Sequence, residues 1–153
     1  MLPPELLFGN TLIRADLNVP MQNQVIQDNF RINKAIEYLD EIRTRSKTVT
    51  FLSHLGRPNG VDPNYSLEPI AKKMSTLLNE EVIFIDSLYG PDVKNKIDKL
   101  PGKVFLLENI RFDKEEMENN LNFAKKVTKN FDTFILDAFG AAHRKHASIV
   151  SFG

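Results

Sequence analysis

The segment Thr48-Val-Thr-Phe-Leu-Ser53 runs directly into His54-Leu-Gly-Arg57, and this succession decides the fold. A short, continuous run of apolar and β-branched residues is typical of a strand that is buried on both faces of a sheet. In open α/β sheets, ligands bind at the carboxyl ends of such strands, where polar residues follow the apolar run. The segment therefore predicts a buried strand that ends at a candidate site.

Four further runs have the same character, at residues 11–15, 82–86, 104–107 and 133–137. Segments with helical spacing of apolar residues separate these runs. Their apolar positions are Ile32, Ile36, Leu39 and Ile42 in the first, Ile70, Ala71, Met74, Leu77 and Leu78 in the second, and Leu121, Ala124 and Val127 in a later one. Ser66 is the expected N-cap of the second helix, and a shorter helix is expected at residues 91–97. The alternation predicts an α/β domain with a doubly wound, mostly parallel sheet covered by helices on both faces, a Rossmann-like three-layer arrangement.

The composition is that of an ordinary globular domain. The chain has 153 residues, of which 42% are hydrophobic and 26% are charged, and its 20 basic and 20 acidic side chains cancel. A zero net charge argues against nucleic-acid binding, and the absence of cysteine excludes disulfides and thiolate metal sites. No apolar run reaches the ~18 residues of a membrane span, and the amino terminus has no secretory pattern. We therefore expect a cytoplasmic protein without a membrane partner.

Arginines concentrate near the ends of the predicted strands. Arg14, Arg57, Arg111 and Arg144 lie near strand ends, whereas Lys145 is the only one of the thirteen lysines in these turns. The guanidinium group is a planar fork that matches phosphate and carboxylate oxygens bidentately, while lysine is a flexible point charge. The segregation by residue type predicts a small polyanion site at the carboxyl edge of the sheet.

Three more polar residues fit this site. Arg31 lies in the first turn of a predicted helix, where a cation costs ~0.3–1 kcal/mol unless an anion lies nearby. Asp16 and Asn18 supply acceptors for ligand hydroxyl groups, so the site suits a hydroxylated acid phosphate. In an alternative interpretation, Asp16 pairs with Arg14 or caps a turn.

No metal site is predicted. His143 and His146 are spaced three residues apart, but they have no carboxylate or thiolate partner for a metal ion. No segment matches the Gly-x-x-x-x-Gly-Lys-Ser/Thr loop or the Gly-x-Gly-x-x-Gly fingerprint of nucleotide sites. Two interpretations stay open: the substrate site of an enzyme, and a noncatalytic module that binds anions or phosphate esters.

Four ordered segments resemble the signature sequences of the phosphoglycerate kinase family. They are Arg14-Ala-Asp-Leu-Asn-Val-Pro20, Ser53-His-Leu-Gly-Arg-Pro58, Leu107-Glu-Asn-Ile-Arg-Phe112 and Asp137-Ala-Phe-Gly-Ala-Ala-His-Arg-Lys-His-Ala-Ser148. The resemblance implies that residues 1–153 are the amino-terminal, substrate-binding lobe of such an enzyme. It also implies that the nucleotide-binding lobe of the family lies outside residues 1–153 and is absent from this chain.

The resemblance also implies the reaction of the parent protein, an ATP-binding phosphotransferase of glycolysis that works as a monomer in the cytoplasm. It moves a phosphoryl group reversibly between 1,3-bisphosphoglycerate and ADP, giving 3-phosphoglycerate and ATP. Mg-ATP and Mg-ADP would be bound by the missing lobe, so no cofactor is expected on this chain alone. As a fragment, the chain would bind substrate without turnover.

Site residues follow from the same resemblance. Arg31 would be the catalytic cation, reaching toward the transferring group, because phosphoryl transfer depends on positioning and electrostatic stabilisation. Asp16 and Asn18 would bind the hydroxyl and carboxylate region of the glycerate. The other implied substrate-binding residues are Arg14, Leu17, His54, Leu55, Gly56, Arg57, Arg111, His143, Arg144 and His146.

Overall fold

A computed structural model describes residues 8–114 and 121–137. All five predicted strands are confirmed: β1 (Gly9–Ala15), β4 (Ser46–Leu52), β5 (Val82–Ile85), β6 (Val104–Leu107) and β7 (Thr133–Asp137). They form one parallel sheet in the order β5-β6-β4-β1-β7. Two short strands that the sequence analysis did not predict, β2 (Met21–Gln22) and β3 (Val25–Ile26), form an antiparallel hairpin.

The α-helices described in full are α1 (Phe30–Ile36), α2 (Leu39–Arg43), α3 (Glu68–Leu78), α4 (Pro91–Lys99) and α5 (Leu121–Thr128), and two short 3-10 helices span Pro63–Tyr65 and Ile110–Phe112. The prediction of one helix through α1 and α2 was wrong. At Glu37 the backbone N–H bonds to Lys34, three residues back, and this tighter turn interrupts the ladder. The apolar spacing nevertheless continues across the break, because Ile32 and Leu39 are both buried.

Helix α3 begins one residue later than expected. Leu67 occupies the N-cap position, and Ser66 Oγ accepts a hydrogen bond from the Glu68 N–H at 3.2 Å. The prediction of Ser66 as N-cap was therefore wrong by one position. The N–H of Leu67 is satisfied by a carboxylate from another loop, Glu108.

Side chains of the sheet alternate between two apolar clusters. Ile13 and Leu106 pack with residues of α1, α2 and α3, whereas Leu12 and Phe105 pack with residues of α4 and α5. Helices therefore cover both faces, which confirms the doubly wound α/β fold. Within the described ranges, no helix is long and apolar enough to cross a membrane.

This topology brings the candidate loops together. Strand β1 lies between β4 and β7, and β4 lies beside β6. Because the strands are parallel, the segments that follow β1, β4, β6 and β7 all leave the same edge of the sheet.

Candidate functional site

A buried cation lies beneath this edge. Arg14, near the end of β1, is fully buried, and its Nη2 lies 3.1 Å from His54 Nδ1. Because a guanidinium group has only donors, Nδ1 is the acceptor, and the proton of the neutral imidazole lies on Nε2. His54 is only 5% exposed. The pair thus fixes the second residue after β4 to the end of the neighbouring strand.

The turn after β1 holds Arg31. Asp16 Oδ1 accepts the Asn18 N–H at 3.1 Å and lies 3.5 Å from Arg31 Nη1. The same Nη1 also donates to the carbonyl oxygen of Asn18. Asp16 therefore caps a turn, as the alternative interpretation had it, and pairs with Arg31. The anion expected beside the first turn of α1 is thus found within the chain.

Gly56 connects three of the loops. Its N–H donates to Asn18 Oδ1 at 2.9 Å, and its carbonyl accepts from Arg111 Nη1 at 2.8 Å. Its φ is +60°, and a Cβ at this position would lie 2.4 Å from Cε1 of Tyr65. Only glycine fits both the left-handed backbone and the close approach of the ring. Both polar backbone groups of Gly56 are therefore used inside the protein.

Two predicted residues reach this edge with their backbone only. The side chains of Leu17 and Leu55 are buried in the apolar core. The Leu17 N–H donates to Ser53 Oγ at 2.9 Å, and the Leu55 N–H donates to Asn109 Oδ1 at 3.3 Å. These contacts hold the loops after β1, β4 and β6 in a fixed relation.

Glu108 and Asn109 are structural residues of the site that the sequence analysis did not assign. Glu108 is 8% exposed, and its Oε1 accepts from the N–H groups of Leu67 at 2.9 Å and Asn109 at 2.8 Å. Its Oε2 accepts from Ser66 Oγ at 2.7 Å. The sequence does contain a signal for this role: a carboxylate and an amide come directly after a continuous apolar strand. The backbone of a buried loop at that point needs hydrogen-bond partners, which such side chains can supply.

The cations of the site differ in exposure. Arg14 and Arg111 are buried, whereas Arg31 and Arg57 are exposed. Arg57 makes no hydrogen bond or ion pair within residues 8–114 and 121–137. A cleft of about 480 Å³ opens beside this edge, lined by residues that include Asn18, Gly56 and Tyr65. The loops at this edge thus carry two exposed guanidinium groups and two buried ones, a set of donors that matches an anion.

The remaining predicted residues, His143, Arg144 and His146, lie outside the described residues. They follow β7, whose last residue, Asp137, lies in register with Ala15 of β1. Among the described side chains, no three of His, Cys, Asp or Glu are grouped as a metal site. A separate apolar pocket of about 300 Å³, lined in part by Tyr38 and Ile135, lies away from these polar groups.

Nearly the whole chain is similar in sequence to known proteins. The chain is 45% identical over 141 residues to phosphoglycerate kinase of Borreliella burgdorferi, which covers 91% of this chain and 36% of that protein. It is 47% identical over 138 residues to phosphoglycerate kinase 1, chloroplastic, of Arabidopsis thaliana, covering 89% of this chain and 29% of that protein. The chain thus spans about a third of the length of these curated relatives.

Solved structures agree with the sequence relatives. Phosphoglycerate kinase from Coxiella burnetii matches with a TM-score of 0.82 and 36% identity, over 95% of this chain and 36% of that one. The enzyme from Pyrococcus horikoshii matches with a TM-score of 0.80 and 34% identity, over 96% of this chain and 38% of that one. The sequence model described as phosphoglycerate kinase matches residues 9–153. With sequence, fold and the ordered loops in agreement, the chain belongs to the phosphoglycerate kinase family.

Proposed function

We propose that residues 1–153 form the amino-terminal lobe of a phosphoglycerate kinase and bind 3-phosphoglycerate or 1,3-bisphosphoglycerate. The observation that carries the proposal is the junction at Gly56, which joins the loop of Asn18 to that of Arg111. This junction supports a single binding edge to which three strands contribute. The family supports a phosphate ester of glycerate as the ligand.

The exposed cations are proposed to capture the ligand. Arg57 would grip the nontransferring phosphate, and Arg31 would neutralise charge on the transferring group. Arg31 must leave Asp16 to do so, and its side chain is 47% exposed in that pair. Because an exposed ion pair contributes ~0–1 kcal/mol and a hydrogen bond ~0.5–1.5 kcal/mol, releasing Arg31 from Asp16 and from the Asn18 carbonyl costs ~0.5–2.5 kcal/mol, which charge-assisted bonds to phosphoryl oxygens would offset. Asp16 would then accept a hydrogen bond from the glycerate hydroxyl, and the side-chain amide of Asn18 would donate to the glycerate carboxylate.

The buried groups are proposed to set the electrostatic field under the ligand. Arg14 and Arg111 are shielded from solvent, where charges act more strongly than in bulk water. His54, held against Arg14, would present its Nε2–H as a neutral donor. His143, Arg144 and His146 are proposed to extend the same basic surface, as their motif implies.

The nucleotide and its magnesium are proposed to bind outside this chain. The full reaction moves a phosphoryl group between 1,3-bisphosphoglycerate and ADP and requires a second, nucleotide-binding lobe. When bound, Mg-ADP accepts the phosphoryl group, and the residues described above bind, orient and shield the other substrate. A monomeric enzyme of glycolysis is part of this proposal. The cytoplasmic location stays a prediction, since one relative is named as chloroplastic.

A titration of the folded chain with 3-phosphoglycerate at low salt tests the proposal. We expect saturable binding that Arg57→Ala and Arg31→Ala each weaken by about tenfold, the equivalent of ~1.4 kcal/mol. Arg45→Ala is the matched control, because it removes the same charge just before β4, at the other end of the strands. No binding by the folded wild-type chain, or equal losses in all three variants, would contradict the proposal. Equal affinity for sulfate would favour a noncatalytic anion-binding module.

A further inference from the structure

The side-chain amide of Asn109 has a complete set of hydrogen bonds. It is fully buried, and its Oδ1 accepts from the N–H groups of Leu55 at 3.3 Å and Arg111 at 3.0 Å. Its Nδ2 donates to the carbonyl oxygens of Leu55 at 2.8 Å and Tyr65 at 2.9 Å. A side-chain amide has two donors and an oxygen with two lone pairs, so the capacity of Asn109 is filled. All partners are backbone groups.

These bonds fix both partners of the contact between Arg111 and Gly56. Asn109 holds the backbone N–H of Arg111 and both backbone groups of Leu55, the residue before Gly56. The guanidinium group of Arg111 then donates to the Gly56 carbonyl at 2.8 Å. Arg57 follows Gly56 directly, so its starting point is set by the same bonds. Arg111, which is buried, and Arg57, which is exposed, thus share one support.

We infer that Asn109 is a positioning residue of the phosphate-ester site: its amide sets the loop that carries Gly56 and Arg57 relative to Arg111. The inference rests on the proposed function for its ligand. It also makes a structural claim, since the loop geometry depends on the two Nδ2 donors. Asp has the same shape as Asn but carries only acceptors when ionised. In Asn109→Asp, a carboxylate would face the carbonyl oxygens of Leu55 and Tyr65.

The first test is the affinity of Asn109→Asp for 3-phosphoglycerate. The control is Asn10→Asp, the same substitution at the amino end of β1, where the acceptor for Thr48 Oγ1 is kept. At about pH 8 we expect Asn109→Asp to bind about tenfold more weakly than wild type and Asn10→Asp to stay within about twofold. Toward about pH 5, protonation of the buried carboxyl restores one donor, so the ratio of Asn109→Asp to wild-type affinity should recover. Taking the ratio cancels the titration of groups that both proteins share.

The second test needs no ligand and separates this inference from the proposed function. Amide resonances of Gly56 and Arg57 should move in Asn109→Asp at about pH 8 and return toward wild-type positions at about pH 5, whereas Asn10→Asp leaves them in place. Where the resonances move as expected but wild type does not bind 3-phosphoglycerate, the proposed function fails and the structural claim stands.

Unmoved resonances, or wild-type affinity in folded Asn109→Asp at about pH 8, would overturn the inference. Equal losses of affinity in Asn10→Asp would also overturn it. If Asn109→Asp does not fold, Asn109→Ser, which keeps one donor and one acceptor in a smaller side chain, replaces it with Asn10→Ser as its control. We then expect moved Gly56 and Arg57 resonances and weaker binding at every pH, since a hydroxyl does not titrate in this range, and unmoved resonances or wild-type affinity would overturn the inference.

Discussion

Replacing Gly56 by alanine tests the junction of the loops directly. Its φ of +60° lies in the left-handed region, which costs a non-glycine residue ~1–2 kcal/mol. The new Cβ would lie 2.4 and 2.6 Å from two ring carbons of Tyr65, far inside the ~3.5–4.0 Å of an ordinary carbon contact. Relieving such an overlap costs a further ~1–3 kcal/mol. Gly56→Ala should therefore destabilise the chain by ~2–5 kcal/mol.

Two comparisons separate the backbone cost from the overlap. Gly60 has a φ of +83° with no atom within 4 Å of an added Cβ, so Gly60→Ala carries the backbone cost alone. In Tyr65→Ala the ring is gone, and adding Gly56→Ala to it should cost no more than Gly60→Ala. The free energies of unfolding are measured by urea denaturation of the single and double variants, followed by circular dichroism.

The outcome that refutes this reasoning is a Gly56→Ala variant no less stable than Gly60→Ala. An equal cost of Gly56→Ala with and without the Tyr65 ring would refute it as well, because the overlap would then contribute nothing. A variant that is destabilised as expected should also bind 3-phosphoglycerate more weakly, since the Gly56 N–H and carbonyl hold Asn18 and Arg111.

Three further predictions concern single polar side chains, one of them at the candidate site and two elsewhere in the fold. The hydrogen bond from Arg43 lowers the pKa of Glu80, so the pair stabilises the protein above the usual glutamate pKa of about 4.3, and this contribution is lost as the pH falls through the lower folded value. Glu80→Gln should lower the free energy of unfolding by ~1 kcal/mol at neutral pH and by progressively less as the pH falls below the usual glutamate pKa, as measured by denaturant titrations at several pH values, and a gap that does not change with pH would contradict this. Thr50 Oγ1 is buried without a hydrogen bond in the described part of the chain, so Thr50→Val should be neutral or stabilising by up to ~1 kcal/mol in thermal unfolding, and a clear loss of stability would argue against it. Glu108→Ala leaves two buried N–H groups and a hydroxyl without their acceptor and should lower the free energy of unfolding, measured in urea, by ~3–5 kcal/mol. Glu108→Gln keeps an acceptor oxygen and should lose less than half of that. Equal losses in the two variants would show that the acceptor oxygen is not the cause.

The sheet was predictable because buried parallel strands are continuous apolar runs, which few other segments imitate. The β2–β3 hairpin was not, because each strand has only two residues and its turn has a weak signal. Asn23 and Gln24 both have positive φ, at 51° and 63°. The common signal of such a turn is Asn-Gly, and glutamine in the second position conceals it.

The position of the candidate site at the carboxyl ends of the strands was also predictable. Parallel strands bring the loops that follow them together, and arginines are concentrated near those strand ends. The connections among the loops were not predictable. They run from side chain to backbone over long separations, 38 residues from Asn18 to Gly56 and 55 from Arg111 to Gly56. No periodicity encodes such pairs. The cation in the first turn of α1 illustrates the difference: the need for an anion was visible, but the partner, Asp16, was not.

Burial decides at which step an arginine of the candidate site loses its side-chain rotamer entropy, folding or ligand binding. The rotamer entropy of an arginine side chain, ~2 kcal/mol, is lost by Arg14 and Arg111 when the chain folds. Under the proposed function, Arg57 would lose its rotamer entropy only when a ligand binds, whereas Arg31, already held in part by Asp16 and the Asn18 carbonyl, would exchange partners. The buried groups would then contribute shape and field without a further entropic cost at binding, which favours one geometry of anion over others. The exposed pair would contribute capture and be weakened by salt, because only solvent-exposed charges are fully screened. Selectivity among phosphate esters should accordingly reside in the buried network around Gly56 and Asn109, and the rate of capture in Arg31 and Arg57.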